Sequence, residues 1–231
     1  MFETQEIFTI MGGKVKMYRG TGYQPTSDAV WLAALPHKTP GTVLDVGIGT
    51  GAVALCLHHH FPEAKITGID ISQDMLDACA RNAELNNCDL ELIQQDILDW
   101  STPRTFDLVI SNPPYFKGTP KKKNSNAHHN VNLTKWTRRS VARVRPKGYF
   151  CTIVDATCAG EVLGVVGKYC REIGIIPLYG SKPVAERVLI RGRACAGGPC
   201  TIHLGYPMNY EPILRDGLTI RKILSSIKSQ C

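Results

Sequence analysis

Apolar residues are concentrated in eight short runs along the 231-residue chain, and polar segments separate these runs. Runs of this length, bounded by turn residues, predict β-strands. The predicted strands lie at about 42–46, 65–70, 90–94, 106–111, 148–154, 174–179, 186–192 and 201–205. Between the early runs, apolar residues recur at helical spacing over 51–60 and 72–87, and Ser72 is a favourable N-cap for the second helix.

Strands that alternate with helices predict an α/β fold, in which helices cover both faces of a mostly parallel sheet. We expect one doubly wound sheet of seven strands. The runs at 186–192 and 201–205 are joined by a glycine-containing segment, which predicts an antiparallel C-terminal hairpin at the edge of the sheet. A basic helix is expected over 132–145, immediately before the fifth strand.

A glycine-rich turn, Gly47–Gly51, separates the first strand from the first helix. Glycines at these positions let a ligand approach the backbone at the carboxyl edge of a parallel sheet. Asp70 ends the second strand at a spacing suited to a carboxylate that grips ribose hydroxyls. The turn alone also fits a loose dinucleotide fingerprint, so NAD is an alternative ligand for it. After the third strand, Gln95 and Asp96 supply an amide and an acid that can read the amino edge of adenine.

The segment Asn112-Pro113-Pro114-Tyr115 directly follows the fourth predicted strand. Methylation of a planar amino nitrogen requires hydrogen-bond acceptors that pull its N–H bonds out of the plane. The Asn112 Oδ1 atom and the Pro113 carbonyl can supply two such acceptors, and the fixed φ of the prolines holds the turn. Tyr115 offers a face on which a flat substrate can stack. For this motif alone, an ordinary proline turn with Tyr115 in the core is the alternative.

Taken together and in this order, the motifs resemble those of class I S-adenosylmethionine-dependent methyltransferases with an NPPY motif. The flanking segments Met11–Lys16, Gly22–Val30, Glu186–Ile190 and Leu214–Gly217 are similar to bacterial tRNA(Val) adenine-37 N6-methyltransferases. The resemblance implies a Rossmann-like methyltransferase fold with S-adenosylmethionine as cofactor. It implies cofactor contacts by Asp45, Gly47, Gly49, Gly51, Asp70, Ile71, Asp96, Ile97 and Asn112, with Asn112, Pro113 and Tyr115 as the catalytic residues.

We expect one methyltransferase domain over residues 1–231. It would comprise a substrate-side segment (1–40), a catalytic core (41–205) and a C-terminal tail (206–231).

Positive charge is concentrated in one part of the chain, which carries a formal net charge of +7. Between Leu108 and Val154 there are ten Lys or Arg residues and no Asp or Glu. This block begins at the Asn112–Tyr115 turn, which we call the acceptor turn because it would hold the methyl acceptor. Positive charge at that position favours a nucleic-acid partner, most simply RNA. We expect a flexible loop over 117–132 that orders on RNA. The substrate-binding candidates are Tyr115, Lys121, Lys122, Lys123, Arg138 and Arg139.

Composition favours a cytoplasmic protein without a membrane segment. Hydrophobic residues make up 43% of the chain, and no apolar run approaches the length of about 18 residues that a membrane span needs. Nine scattered cysteines indicate buried thiols in a reducing compartment. Cys195 and Cys200 form a single pair, which is a poor zinc signature, so no metal is expected. We expect a monomer.

The combined features favour N6-methylation of adenine in RNA, with position 37 of a valine tRNA implied by the resemblance. Three alternatives remain open: protein-glutamine N5-methylation of release factors, amino-methylation of rRNA or DNA, and a non-catalytic RNA-binding role. Release-factor methyltransferases carry a sizeable N-terminal helical domain, whereas 44 residues precede Asp45 here. Cytosine-C5 methylation is disfavoured because the turn lacks a nucleophilic cysteine.

Overall fold

The computed structural model describes residues 6–20, 27–114 and 132–223. Two short 3-10 turns, Met11–Gly13 and Ala156–Cys158, accompany the regular elements. The strands are β1 (Ile7–Ile10), β2 (Val15–Tyr18), β3 (Thr42–Val46), β4 (Lys65–Asp70), β5 (Leu90–Gln94), β6 (Phe106–Ser111), β7 (Val144–Asp155), β8 (Cys170–Tyr179), β9 (Ala185–Ala194), β10 (Cys200–Ile202) and β11 (Tyr206–Pro207). The helices are α1 (Ser27–Ala33), α2 (Ala52–His60), α3 (Gln73–Leu85), α4 (Leu133–Val141), α5 (Ala159–Tyr169) and α6 (Glu211–Leu214).

The central sheet is mostly parallel, which confirms the predicted α/β class. Its strands lie in the order β10-β8-β9-β7-β6-β3-β4-β5, and β11 also pairs with β8. The five neighbouring strands β5, β4, β3, β6 and β7, of which β5 forms one edge of the sheet, run parallel to one another. Their carboxyl ends therefore meet at one edge of the sheet, the carboxyl edge, and their amino ends meet at the opposite amino edge.

Two details of the predicted sheet are wrong. The sheet contains nine strands rather than seven. The antiparallel hairpin is present, but it joins β8 to β9, not the runs at 186–192 and 201–205. Strand β9 lies between β7 and β8 and is antiparallel to both, so neither of its edges is free for the returning chain. The chain crosses back to the outer edge of β8, where β10 and β11 pair in parallel.

Helices cover both faces of this sheet and close two apolar layers. One layer surrounds α1, α2 and α3 and buries Trp31 completely. The other lies beneath α4 and α5 and contains Phe150. Helix α3 begins at the predicted cap, because the Ser72 hydroxyl accepts a hydrogen bond from the Met75 amide. Helix α4 is capped by Asn132 and ends at Val141, earlier than predicted, because β7 begins at Val144.

The separate β1–β2 hairpin is attached to the main domain through α3. The Asn86 side chain accepts a hydrogen bond from the Lys16 amide (2.9 Å) and donates one to the Lys16 carbonyl (2.7 Å). The buried Asn82 side chain accepts from the Tyr18 amide (2.9 Å) and donates to the Thr50 carbonyl (2.9 Å). Asn82 therefore links the N-terminal hairpin to the glycine-rich turn.

An ion-pair cluster joins α1 to the carboxyl end of β7. Arg187 on β9 contacts Asp28 (3.0 Å) and Asp155 (3.1 Å), and the Asp28 side chain is only 6% exposed. We expect Arg187→Met to lower the free energy of unfolding by about 2 kcal/mol, because a charge-assisted hydrogen bond to a buried carboxylate is lost. Urea denaturation measures this change. Arg215→Met, which breaks an exposed pair with Glu211, is the control and should cost less than about 0.5 kcal/mol. Equal costs for the two variants would show that the cluster adds no more stability than a surface pair.

Candidate active site

The predicted functional segments meet at the carboxyl edge of the sheet. Val46 at the end of β3 pairs with Ile69 on β4 and with Ser111 at the end of β6. Asp70 at the end of β4 pairs with Gln94 at the end of β5. Four neighbouring strand ends thus present the glycine-rich turn, the acid Asp70, the Gln95–Asp96 segment and the Asn112 turn side by side.

The glycine-rich turn requires glycine at three positions. Gly47, Gly49 and Gly51 have φ angles of 73°, 54° and 88°, in the left-handed region that side chains disfavour. The Gly47 and Ile48 amides donate to the Ile69 carbonyl at 2.8 and 3.1 Å, which folds the turn back over β4. A Cβ at Gly51 would lie 2.7 Å from the Cys79 sulfur. The turn is therefore built for close packing and an open backbone.

Asp70 is held beside this turn by two backbone donors. Its Oδ2 atom accepts from the Gly49 amide at 2.9 Å, and its Oδ1 atom accepts from the Ser72 amide at 3.0 Å. Each carboxylate oxygen has a second lone pair, so both oxygens retain capacity to accept from a ligand hydroxyl. The carboxylate thus has a fixed position before any ligand binds.

Asp45 is a buried acid directly below the turn. It is 1% exposed, and its Oδ2 atom has no hydrogen-bond partner among the described residues. Burial is the main cause that raises the pKa of Asp45 to about 7, and the nearby negative charge of Asp70 raises it further. The backbone amide of Ala54 opposes this rise. A cation that binds beside these two acids would favour the ionised form of Asp45.

The segments after β4 and β5 flank the acid Asp70 on its far side. Ile71 is 67% exposed, which is unusual for an isoleucine and leaves an apolar side chain available to a ligand ring. Asp96 is half-buried, and its Oδ1 atom accepts from the Leu98 amide at 2.8 Å. Ile97 is buried and belongs to the core beneath the segment. Ile71 and Asp96 are accessible to a ligand, whereas Ile97 supports the segment from below.

The acceptor turn is tied to the glycine-rich turn by a buried hydroxyl. The Ser111 Oγ atom donates to the Val46 carbonyl at 2.9 Å, directly before Asn112 on one strand and Gly47 on the other. Asn112 is half-buried, Pro113 is buried and Pro114 is exposed. The Asn112 side chain therefore lies at an accessible position next to the glycine-rich turn. The predicted stacking residue Tyr115 and the predicted RNA contacts Lys121, Lys122 and Lys123 lie outside the described residues.

Trp136 on α4 belongs to this site and was not predicted. Its Nε1 atom donates to the Ser111 hydroxyl at 3.0 Å. Its ring covers Gly47, because a Cβ at Gly47 would lie 3.0 Å from the ring atom Cζ2. Nothing in the local sequence around Trp136 indicates which turn α4 packs against. The indole forms one wall of the glycine-rich turn.

Some basic residues between Leu108 and Val154 make contacts within the protein, whereas others are exposed to solvent. Lys135 and Arg138 are exposed on α4. Arg139 is half-buried, and its Nε atom donates to the Leu98 carbonyl at 2.7 Å. Arg143 donates to the Thr102 carbonyl in the same connection between β5 and β6. Arg138 is therefore free to contact a substrate phosphate, whereas Arg139 also holds the chain in place.

The described part of the chain offers no group of three or more His, Cys, Asp or Glu side chains arranged for a metal ion. Cys195 and Cys200 are exposed and unbridged, while the other six described cysteines are buried. Within the same residues, none of the helices has the length and apolar character of a membrane span.

Comparisons with known proteins agree on a methyltransferase. The family model "Methyltransferase small domain" matches residues 25–157. The tRNA1(Val) (adenine(37)-N6)-methyltransferase of Bacteroides thetaiotaomicron is 30% identical over 196 residues, which cover 79% of each chain. A release factor glutamine methyltransferase of Lactococcus lactis is 42% identical, but over 84 residues that cover 36% of this chain and 31% of that protein.

Two solved structures share the fold. A predicted O-methyltransferase from Agrobacterium tumefaciens superposes with a TM-score of 0.65 at 20% identity, over 78% of this chain and 86% of that one. The N-methyltransferase NodS from Bradyrhizobium japonicum, in complex with S-adenosyl-L-homocysteine, has a TM-score of 0.55 at 17% identity, over 74% and 86%. Since the family model matches more than half of the chain, this protein belongs to the methyltransferase small domain family of S-adenosylmethionine-dependent enzymes.

Proposed function

We propose that this protein methylates the N6 amino group of an adenine in RNA, and that its substrate is a tRNA, with position 37 of a valine tRNA as the target. The observation that carries the proposal is the junction between Asn112 and the glycine-rich turn. Ser111 and Val46 are paired across β6 and β3, and the Ser111 hydroxyl also bonds to the Val46 carbonyl. An amino group bound by Asn112 would therefore lie beside the turn that we propose as the binding site of the methyl donor.

The residues of the turn fit S-adenosylmethionine. The methionine end of the cofactor carries an ammonium and a sulfonium, and the buried Asp45 has an unpartnered carboxylate oxygen for which such a cation is a suitable partner. Asp70 would accept from the ribose hydroxyls with its remaining lone pairs. Ile71 would pack on the adenine, and Asp96 would accept from its amino group. When bound, the cofactor supplies an electrophilic methyl group.

The chain's contribution to methyl transfer is the positioning of the amino group. The amino nitrogen of adenine is a weak nucleophile because its lone pair is delocalised into the ring. Asn112 Oδ1 and the Pro113 carbonyl would accept its two N–H bonds and turn the lone pair toward the methyl group. Correct placement of the two reactants supplies much of the acceleration, so no general base is required. The proton is lost to water after the nitrogen has become more acidic.

Two features support RNA as the acceptor. Lys135 and Arg138 leave positive charge exposed on α4, which begins on the acceptor side of the sheet. The Bacteroides relative, which is similar over 79% of both chains, is named as a tRNA adenine-N6-methyltransferase. The target base must be unstacked to enter the site, and an anticodon loop allows this more easily than a duplex does. A tRNA substrate implies a cytoplasmic location.

Methylation of a protein glutamine is the second candidate, because the Lactococcus relative has the higher identity in the region that it shares. A glutamine side chain is also a planar amide, and the same two acceptors would suit it. The shared region covers only 31% of that protein, which supports a common catalytic core more than a common acceptor. Incubation of the enzyme with labelled S-adenosylmethionine and either tRNA or a release factor separates the two. Nucleoside mass spectrometry should detect N6-methyladenosine, and methylglutamine without it would favour the second candidate.

For this site, the first prediction concerns Asp45, whose raised pKa makes the free energy of unfolding depend on pH. The native acid holds its proton up to about pH 7, while the unfolded acid loses it near 3.8, so this group destabilises the protein progressively as pH rises from about 4 to about 7. Asp45→Asn removes that loss. The stability of the variant relative to wild type should therefore increase over this range by at most about 4 kcal/mol. Urea denaturation at several pH values measures it. Asp74→Asn, at an exposed position of α3, is the control, and a pH-independent difference for Asp45→Asn would contradict the prediction.

The second prediction concerns Asp70. Asp70→Ala should weaken S-adenosylmethionine binding by about 1–3 kcal/mol, because a charge-assisted hydrogen-bond pair to the ribose is lost. Calorimetry measures the affinity directly. Because Asp70 also accepts from Gly49 and Ser72, thermal unfolding must show that the variant remains folded. Unchanged affinity in a folded variant would remove Asp70 from the cofactor site.

The third prediction concerns Asn112 and separates catalysis from binding. Asn112→Ala removes an acceptor that is needed mainly as the amino nitrogen becomes pyramidal. The rate constant of methyl transfer should fall by about a hundredfold or more, while cofactor and RNA still bind. Single-turnover methylation and equilibrium binding provide the two measurements. Near-normal turnover of adenine-containing RNA by this variant would refute the proposed role of the acceptor turn.

A further inference from the structure

A positively charged groove lies at the amino edge of the sheet, opposite the acceptor site. It consists of two cavities of about 250 and 470 Å³ that share Pro36, His37 and Thr39. We call it the amino-edge groove. Its lining contains two acids, Asp107 and Glu63, and six side chains that carry a permanent positive charge: Lys38, Arg145, Lys147, Arg193, Arg221 and Lys222.

The acid at the centre of this groove is already occupied by the protein. Asp107 accepts from the Gly41 and Thr42 amides at 2.9 and 2.8 Å and forms an ion pair with Arg145. Lys38 and Lys147 are exposed, and neither has an ion pair within the described residues. Arg193 is paired with Glu172 at 3.0 Å, so in the cavity around Asp107 the positive charge that acids leave unneutralised is that of Lys38 and Lys147.

Two histidines of the groove have lowered pKa values, mainly because they are buried, while Glu172 raises the pKa of His37. Burial lowers the pKa of His37 to about 4, and the neighbouring charges of Arg191, Lys38 and Arg221 contribute to this shift. Burial also lowers the pKa of His60 to about 4, with help from His59 and Lys222. Cations that suppress the protonation of a neighbour favour the binding of an anion in the same place.

The exposed lysines of the groove lie around a buried tyrosine. Tyr149 is 9% exposed, and its ring lies 6.0 Å from the Lys38 ammonium and 5.6 Å from the Arg193 guanidinium. The Tyr149 hydroxyl and the His37 Nδ1 atom are buried and have no hydrogen-bond partner among the described residues, so they do not face the open groove. A phosphate oxygen accepts hydrogen bonds and carries negative charge, so it suits the exposed ammonium groups of Lys38 and Lys147.

We propose that the amino-edge groove binds backbone phosphates of the RNA substrate, at a distance from the adenine that is methylated. This inference rests on the proposed RNA acceptor. Strand β6 connects the two sites, from Asp107 in the groove to Ser111 next to Asn112, and the five residue steps from Asp107 to Asn112 span roughly 16 Å at about 3.3 Å per residue. The exposed Lys135 and Arg138 on α4 belong to the chain segment that leads from the acceptor turn to Arg145 and Lys147. A folded tRNA is long enough to contact both edges. An RNA of five nucleotides centred on the target adenine extends only about 7 Å to either side, at the stacked spacing of about 3.4 Å per nucleotide.

The test compares a tRNA transcript with an adenine-containing RNA of five nucleotides. The double variant Lys38→Gln with Lys147→Gln should raise the dissociation constant of the transcript. Two lost phosphate contacts should flatten the slope of log K against log salt by about 1.4–1.8. Turnover of the five-nucleotide RNA should stay unchanged, because the groove is remote from the methyl-transfer site. The control variant, Arg81→Gln with Lys168→Gln, removes the same charge from exposed helical positions outside the groove. It should leave the dissociation constant of the transcript and its salt slope unchanged.

The possible outcomes distinguish this inference from the proposed function. If the salt slope of the groove variant is unchanged and the transcript is still methylated, the groove does not bind RNA phosphates and the proposed function stands. If the control variant has an equal effect, the effect comes from general surface charge, and the proposed phosphate site is again refuted. If inorganic phosphate binds wild type but not the groove variant while the slope is unchanged, the site holds a free anion instead. A transcript that binds through the groove but is never methylated supports the inference and contradicts the proposed function.

Discussion

The parallel pairing of β3 with β4 on one side and β6 on the other is the constraint on which the rest of the structure depends. It brings the ends of three strands, at Val46, Asp70 and Ser111, to one edge of the sheet. The glycine-rich turn follows Val46 directly, the turn that starts at Asn112 follows Ser111 directly, and Asp70 is itself the last residue of β4. A one-residue slip of β6 against β3 would reverse which face Ser111 occupies and would break its hydrogen bond to Val46. The register of β6 against β3 therefore determines the position of the Asn112 turn relative to the glycine-rich turn.

A second consequence of this pairing is the electrostatic character of the site. Asp45 and Asp70 end up close together, one of them fully buried, and the pKa of Asp45 is raised to about 7. Such an arrangement is unfavourable in the empty protein, because burial and a like charge both oppose ionisation. A cation bound beside the two acids would offset the repulsion between them, and the low polarity around the buried Asp45 would strengthen its attraction to such a ligand. Acids with shifted pKa values are common in binding sites.

The opposite edge of the sheet has the reverse character. Lys38, Lys147 and the neighbouring arginines lie around Tyr149 and His37, and the central acid Asp107 accepts from backbone amides. The carboxyl edge of the sheet thus carries two close acids, whereas the amino edge carries exposed positive charge. On helix α4, Trp136 covers the glycine-rich turn, Arg139 donates to the Leu98 carbonyl, and Lys135 and Arg138 face solvent. The basic residues of this helix therefore have different environments despite their similar appearance in the sequence.

Local sequence determined the inner strands and the turns that follow them. The predicted strands 42–46, 65–70, 90–94 and 106–111 coincide with β3, β4, β5 and β6. In β3, β4 and β6 the reason is burial on both faces, which makes the strand a nearly continuous apolar run between turn residues. The edge strand β5 is less buried, and its apolar residues alternate with polar ones. The same locality made the glycine-rich turn and the acid Asp70 recognisable. Only the tertiary structure decided that β9 pairs with β8 and that Trp136 covers Gly47. It also decided that Lys38 and Lys147 meet around Tyr149. These contacts join segments far apart in the chain, and such partners depend on which edges and surfaces remain free after the core has packed.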